Sequence, residues 1–122
     1  MTKPDTPRDI KKLVINGMTY EQRCEIIDWI DEVSSNRDEN FYLIGSEDEA
    51  NALASAIVGV VEVGHGAVVY SRNRLIRAFM EYNDWSEEDA IDWYEYNTVR
   101  SLEYLQNDKE VTCPPVIVSE PD

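Results

Sequence analysis

Apolar residues recur at helical spacing early in the chain. Cys24, Ile26, Ile27, Ile30 and Val33 approximate a 3.6-residue period, which predicts a helix to about Val33. Thr19 is its N-cap, and Gln22 three residues on completes a capping box. Upstream, Asn16-Gly17 signals a turn, and residues 12–15 (KLVI) read as a short strand or a docking tail. Residues 34–40 (SSNRDEN) are predicted to be a loop and 41–45 (FYLIG) a short strand. Ser46 and Glu49 suggest a second capping box, opening a helix through residues 49–61 (EANALASAIVGVV).

In the second half, VGHGA (63–67) reads as a turn and AVVY (67–70) as a buried strand. Ser71 caps a helix whose Leu75, Ile76, Phe79 and Met80 form one apolar face, with Tyr70 and Leu75 placed as a hydrophobic staple. YNDW is the next turn. Ser86 then caps a helix to about Leu105, with Glu87, Glu88 and Asp89 in the first turn, where the helix dipole favours anions. QNDKEVTCPP is a loop and VIVS a last strand. The pattern predicts an α+β fold of about four helices on a small sheet of two to four short strands. Residues 1–11 are expected to be a flexible arm, and 12–122 a single domain.

Charge changes this picture most. The 122 residues carry a formal charge of −14. Direct binding to nucleic acid or to an anionic membrane is disfavoured, because phosphate contacts need Lys and Arg. A cationic protein face or a divalent ion is the partner such a surface suits. The two cysteines, Cys24 and Cys113, form no CxxC or disulfide framework, which suggests a reducing compartment. The N-terminus shows no apolar signal region, and AIVGVVEV is broken by Glu62 and too short to span a bilayer, so a cytoplasmic location is expected.

The acids are ordered. Glu88, Asp92 and Glu95 stand at i, i+4 and i+7, and Glu21, Glu25, Asp28 and Glu32 at i, i+4, i+7 and i+11. Each set shares one helix face. Like charges at i, i+4 destabilise a helix by roughly 0.2–0.5 kcal/mol per pair. Acids four residues apart are separated by about 6 Å along the axis, against about 3.4 Å of axis per phosphate on one DNA strand. Such rows are either solvated faces or loose imitations of a nucleic-acid backbone edge. Trp29, Phe79 and Tyr94 are expected in the core. Trp85, Trp93 and Tyr96 cannot all face inward, so one of them is expected to anchor a partner.

Catalytic signatures are weak. His65, the only histidine, sits between glycines in a turn with no nucleophile tied to it. Gly59, Gly64 and Gly66 make no phosphate loop, and SEDEAN lacks the order of an EF-hand. Residues 71–97 resemble helix-turn-helix, but the recognition helix would be the most acidic segment of the chain. Arg72, Arg74 and Arg77 are expected to pair with neighbouring acids or to hold a small anion. No catalytic residue, metal site or cofactor is predicted.

Within residues 57–118, Gly59, Tyr70, Leu75, Ile76, Ser86, Glu87, Glu88, Ala90, Trp93, Glu95, Tyr96 and Asn97 resemble a family of small, mostly uncharacterised proteins of tailed phages and prophages. Its pattern is a V-x-Y-[DS] strand end followed by an S-x-E-E-A-x-x-[WY]-x-[EF]-[FY]-N helix. The match covers about half the chain. The family's usual Gly-Ala step after the Asn is replaced here by TVRSLEYL. The resemblance lends no catalytic residue; it implies a phage origin and action inside a bacterial cell. Together with the charge, it leads to the expectation of a non-enzymatic inhibitor that binds a basic host defence or regulatory protein, itself a binder of nucleic acid. The surface would comprise Glu21, Glu25, Asp28, Glu32, Trp85, Glu88, Asp92, Trp93, Glu95 and Tyr96. The alternative is a binder of a small anionic ligand, such as a nucleotide, through Arg72, Arg74, Arg77 and His65; an assembly subunit or homo-oligomer is also open.

Overall fold

Thr19 begins the first helix as its sequence implies. Its hydroxyl accepts from the Gln22 N–H at 3.2 Å, and the Gln22 side chain accepts from the Thr19 N–H at 2.9 Å. The structure, a computed structural model, describes residues 9–121. Helix α1 runs over Tyr20–Arg37, one turn beyond the expected end. It closes where Asp38 turns left-handed (φ 53°) and Glu39 N–H donates to the Ser34 carbonyl at 3.0 Å. Asp38 N–H donates to Ser35 at 3.2 Å, completing a Schellman closure with Asp in the place of the usual Gly. Ser34–Asn36 are therefore helical rather than loop, and the closure fixes where Glu39 points.

Residues 41–45 form no strand, contrary to the sequence pattern. Tyr42 N–H donates to the Cys113 carbonyl and Ile44 N–H to the Tyr70 hydroxyl at 3.0 Å, so single remote groups replace a ladder. Helix α2 spans Glu47–Ala54, and Ser46 makes no side-chain cap to it. The second capping box is thus absent, and Glu47 itself has a positive φ of 50°. The helix stops where Ser55 turns its hydroxyl onto the Ala52 carbonyl at 2.7 Å. The β-branched run beyond it, expected to stay helical, becomes strand β1 (Ile57–Val60). Strand β2 is Val68–Ser71, antiparallel to β1 with a register shift between Ile57 and Gly59. Strand β3, Val116–Val118, lies parallel on the other side of β2.

Ser71 ends β2 and caps helix α3 (Arg72–Asn83) through Arg74 N–H. Ser86 caps α4 (Glu87–Trp93) through Asp89 N–H. A π-helical turn, Tyr94–Thr98, joins α4 to α5 (Val99–Asn107) in one helical run. The buried residues of that run, Ala90, Tyr94, Thr98 and Leu102, stand four apart. In a straight α-helix each such step drifts about 40°. The wider π turn takes up that drift and keeps the stripe on the core. Four helices therefore pack with a three-stranded mixed sheet, an α+β fold.

Leu53, Val68, Tyr70, Leu75 and Phe79 are fully buried at the centre. The N-terminal segment docks here too. Asp9 caps a 3₁₀ turn, Ile10–Lys12, and Ile10 is buried. Residues 1–8 of the expected arm lie outside the described residues. Of KLVI, only Ile15 pairs, in an isolated bridge to Met18 across the Asn16-Gly17 turn.

Candidate functional site

Arg23 decides what α1 shows to solvent. It is fully buried, and its guanidinium donates to Asn51 Oδ1 and the Ile10 and Leu13 carbonyls at 2.9 Å, and to the Met18 carbonyl at 2.6 Å. All four acceptors are neutral, and burial pulls its pKa below the usual arginine value. The helix's other arginine, Arg37, is bound to Glu39 at 2.6 Å. Glu21, Glu25, Asp28 and Glu32 are all exposed, without an ion pair among the described residues.

Trp29 sits beside them, four residues after Glu25 and three before Glu32. It is 46% exposed rather than in the core as expected. The buried stripe runs through Arg23 and Ile30, and Trp29 lies about 100° around the helix from Ile30. Helix α1 therefore carries an exposed aromatic beside its acid row.

Glu88 and Asp92 on α4 and Glu95 in the π turn are likewise exposed and in no ion pair among the described residues. Trp85 is not part of that surface: it is only 8% exposed and packs on Trp93 at 5.4 Å between ring centroids. Its position before the Ser86 cap turns it under the helix. Trp93 is half-buried. Tyr96 is 69% exposed, with Arg100 stacked 5.2 Å from its ring centre. Packing runs from α1 to α2, α2 to α3 and α3 to α4. Each acid row thus lies on its own helical run, and exposed Glu47 and Asp48 open α2 beside α1.

The three arginines line two adjoining clefts on α3, with Asn73 and Arg77 shared between them. Arg72 and Arg77 line an open cleft of about 450 Å³ with Asn73, Ile76 and Glu87. Arg72 also lies 5.5 Å from the Tyr94 ring centre. Arg74 pairs with Glu120 at 3.3 Å. His65 lies before the other end of β2, in the β1–β2 loop. The structure does not bring His65 and the three arginines to one site.

A different constellation forms around His65. Glu39, from the turn after α1, meets His65 from the β1–β2 loop and Cys113 from the segment before β3. Glu39 Oε2 is 3.5 Å from His65 Nδ1 and accepts from the Cys113 thiol at 3.3 Å and from Gly66 N–H at 3.0 Å. The Gly66 N–H holds the Glu39 carboxyl below the usual carboxylate range; burial opposes it, and the thiol and Arg37 each add a smaller downward pull. Burial pushes the Cys113 thiol up. Arg37 also donates to the Val61 and Gly64 carbonyls at 2.8 and 2.9 Å, tying the loop to α1. Gly66 is required there, since a Cβ would lie 2.5 Å from the Phe41 ring.

Sequence reasoning missed this cluster. Glu39 and Cys113 are 74 residues apart, and no spacing rule links them. The one available signal was a single histidine flanked by glycines. No protein-family model matches the chain, and comparisons with curated proteins and with solved structures find no match.

Proposed function

We propose that this is a phage-encoded acidic interaction protein that binds a basic host protein and blocks its nucleic-acid site inside the bacterial cell. The observation that carries the reading is the α1 face, where four exposed carboxylates, in no ion pair among the described residues, flank an exposed tryptophan. Unpaired carboxylates supply steering and charge complementarity. An exposed Trp supplies the kind of aromatic anchor that dominates interface energetics. Neither arginine of α1 pairs with the row: Arg23 is turned to the buried face and Arg37 is held by Glu39. The α4 patch, with Tyr96, is a second contact zone for an extended partner.

The test is capture from a bacterial lysate at low and high salt, with four forms of the protein. The unaltered chain is expected to retain a basic, salt-eluted partner. Glu25→Lys/Asp28→Lys/Glu32→Lys is expected to lose it, and Trp29→Ala to weaken it by about 2 kcal/mol or more, the range of an interface hot spot. The corresponding reversal of Glu88, Asp92 and Glu95 is expected to weaken capture less. Undiminished capture by a folded α1 variant would refute the assignment.

The cleft with Arg72 and Arg77 supports the second reading, an anionic small ligand. It predicts that a nucleotide raises the melting temperature of the protein and that Arg72→Ala/Arg77→Ala removes the effect.

A further inference from the structure

The geometry points to a binding site for a divalent, zinc-like cation formed by Glu39, His65 and Cys113. A tetrahedral cation held about 2.0–2.3 Å from N, O and S donors sets those donors roughly 3.3–3.6 Å apart. The Glu39–Cys113 and Glu39–His65 edges are 3.3 and 3.5 Å. The third edge, from His65 to Cys113, is under 4.8 Å and closes by swinging the imidazole, which is 76% exposed.

The donor set is a mixed thiolate, imidazole and carboxylate, which suits zinc over calcium or magnesium. Its surroundings are built for the purpose. Arg37 grips the other carboxylate oxygen, Oε1, at 2.6 Å, leaving Oε2 turned toward the thiol and the imidazole. The Thr112 hydroxyl is 3.7 Å from Cys113 Sγ and is placed to donate to a thiolate. The exposed His65 side leaves a fourth position for water or a partner's ligand. Binding is proton exchange without redox change. The Cys113 S–H bond breaks, the sulfur–metal bond forms, and one proton passes to solvent. The His65 Nδ1 lone pair and a Glu39 oxygen complete the protein's share. The cation would clamp three separate segments: the end of α1, the β1–β2 loop and the approach to β3.

Cobalt(II) is the probe, titrated into the full chain, because a cobalt–thiolate bond gives a near-ultraviolet charge-transfer band. One equivalent is expected to saturate the band. Cys113→Ser should abolish it, His65→Ala should weaken affinity by about tenfold or more, and Cys24→Ser should leave it intact. If Cys113→Ser does not fold, His65→Ala decides, since its side chain is at the surface. Absence of a thiolate band, a band that follows Cys24, or an affinity unchanged in His65→Ala would each overturn the site.

Discussion

One side chain, Arg23, links the fold to the surface. A charged residue is seldom fully buried without a counter-ion. Here four neutral acceptors from Ile10, Leu13, Met18 and Asn51 take the place of a carboxylate. The guanidinium thereby holds the N-terminal segment against α1 and α2. Arg23→Ala would strand those acceptors, two of them buried and two part-buried. It is expected to destabilise the protein by about 3 kcal/mol or more, several times a single neutral hydrogen bond; urea unfolding measures this. An unchanged midpoint would show that water replaces the arginine without loss. Nothing in the sequence distinguishes Arg23 from a surface arginine, because its partners are mostly carbonyls, which every residue carries. The core position expected for Trp29 fails for a related reason. A tryptophan beside Ile30 reads as core unless the direction of the buried stripe is known.

Among the elements, what was legible is what is local. The caps at Thr19, Ser71 and Ser86 form as their spacing implies, since cap and recipient lie three residues apart. Ser46 carries the same pattern and makes no side-chain cap, because Glu47 leaves helical geometry. The apolar stretch FYLIG has strand composition, but its N–H groups find Cys113 and Tyr70 rather than a neighbouring strand. Strandedness depends on a partner that composition does not reveal. The acid rows were legible because each lies within one continuous helical run, though the second crosses into the π turn at Glu95. The Glu39–His65–Cys113 cluster was not, because three distant segments build it. The β1–β2 loop that completes the cluster is tightly fitted at Gly66. Gly66→Ala is expected to cost about 1–3 kcal/mol, as overpacking does, since Phe41 and the tethered Arg37 both stand in the way. Thermal unfolding reads this out, and a variant as stable as the parent would show that the loop adjusts freely.

At the scale of the whole molecule, a charge of −14 is spread over a surface on which the ion pairs of the described residues lie away from both acid rows. Self-repulsion of that size opposes compaction and is relieved by salt. Under the proposed function the same field attracts the cationic partner, so salt is expected to act oppositely on folding and on capture. The exposed acids of α1 and of the α4 run sit on two helical runs, and α2 adds exposed Glu47 and Asp48. The most direct measurement of the central claim is the dissociation constant for the captured partner, followed from about 0.01 M to about 0.15 M ionic strength, over which screening shortens from about 30 to about 8 Å. Affinity is predicted to fall by about tenfold or more across that range, and to be lost at every salt concentration in Glu25→Lys/Asp28→Lys/Glu32→Lys. Affinity independent of salt, and retained in full by the charge-reversed chain, would contradict it.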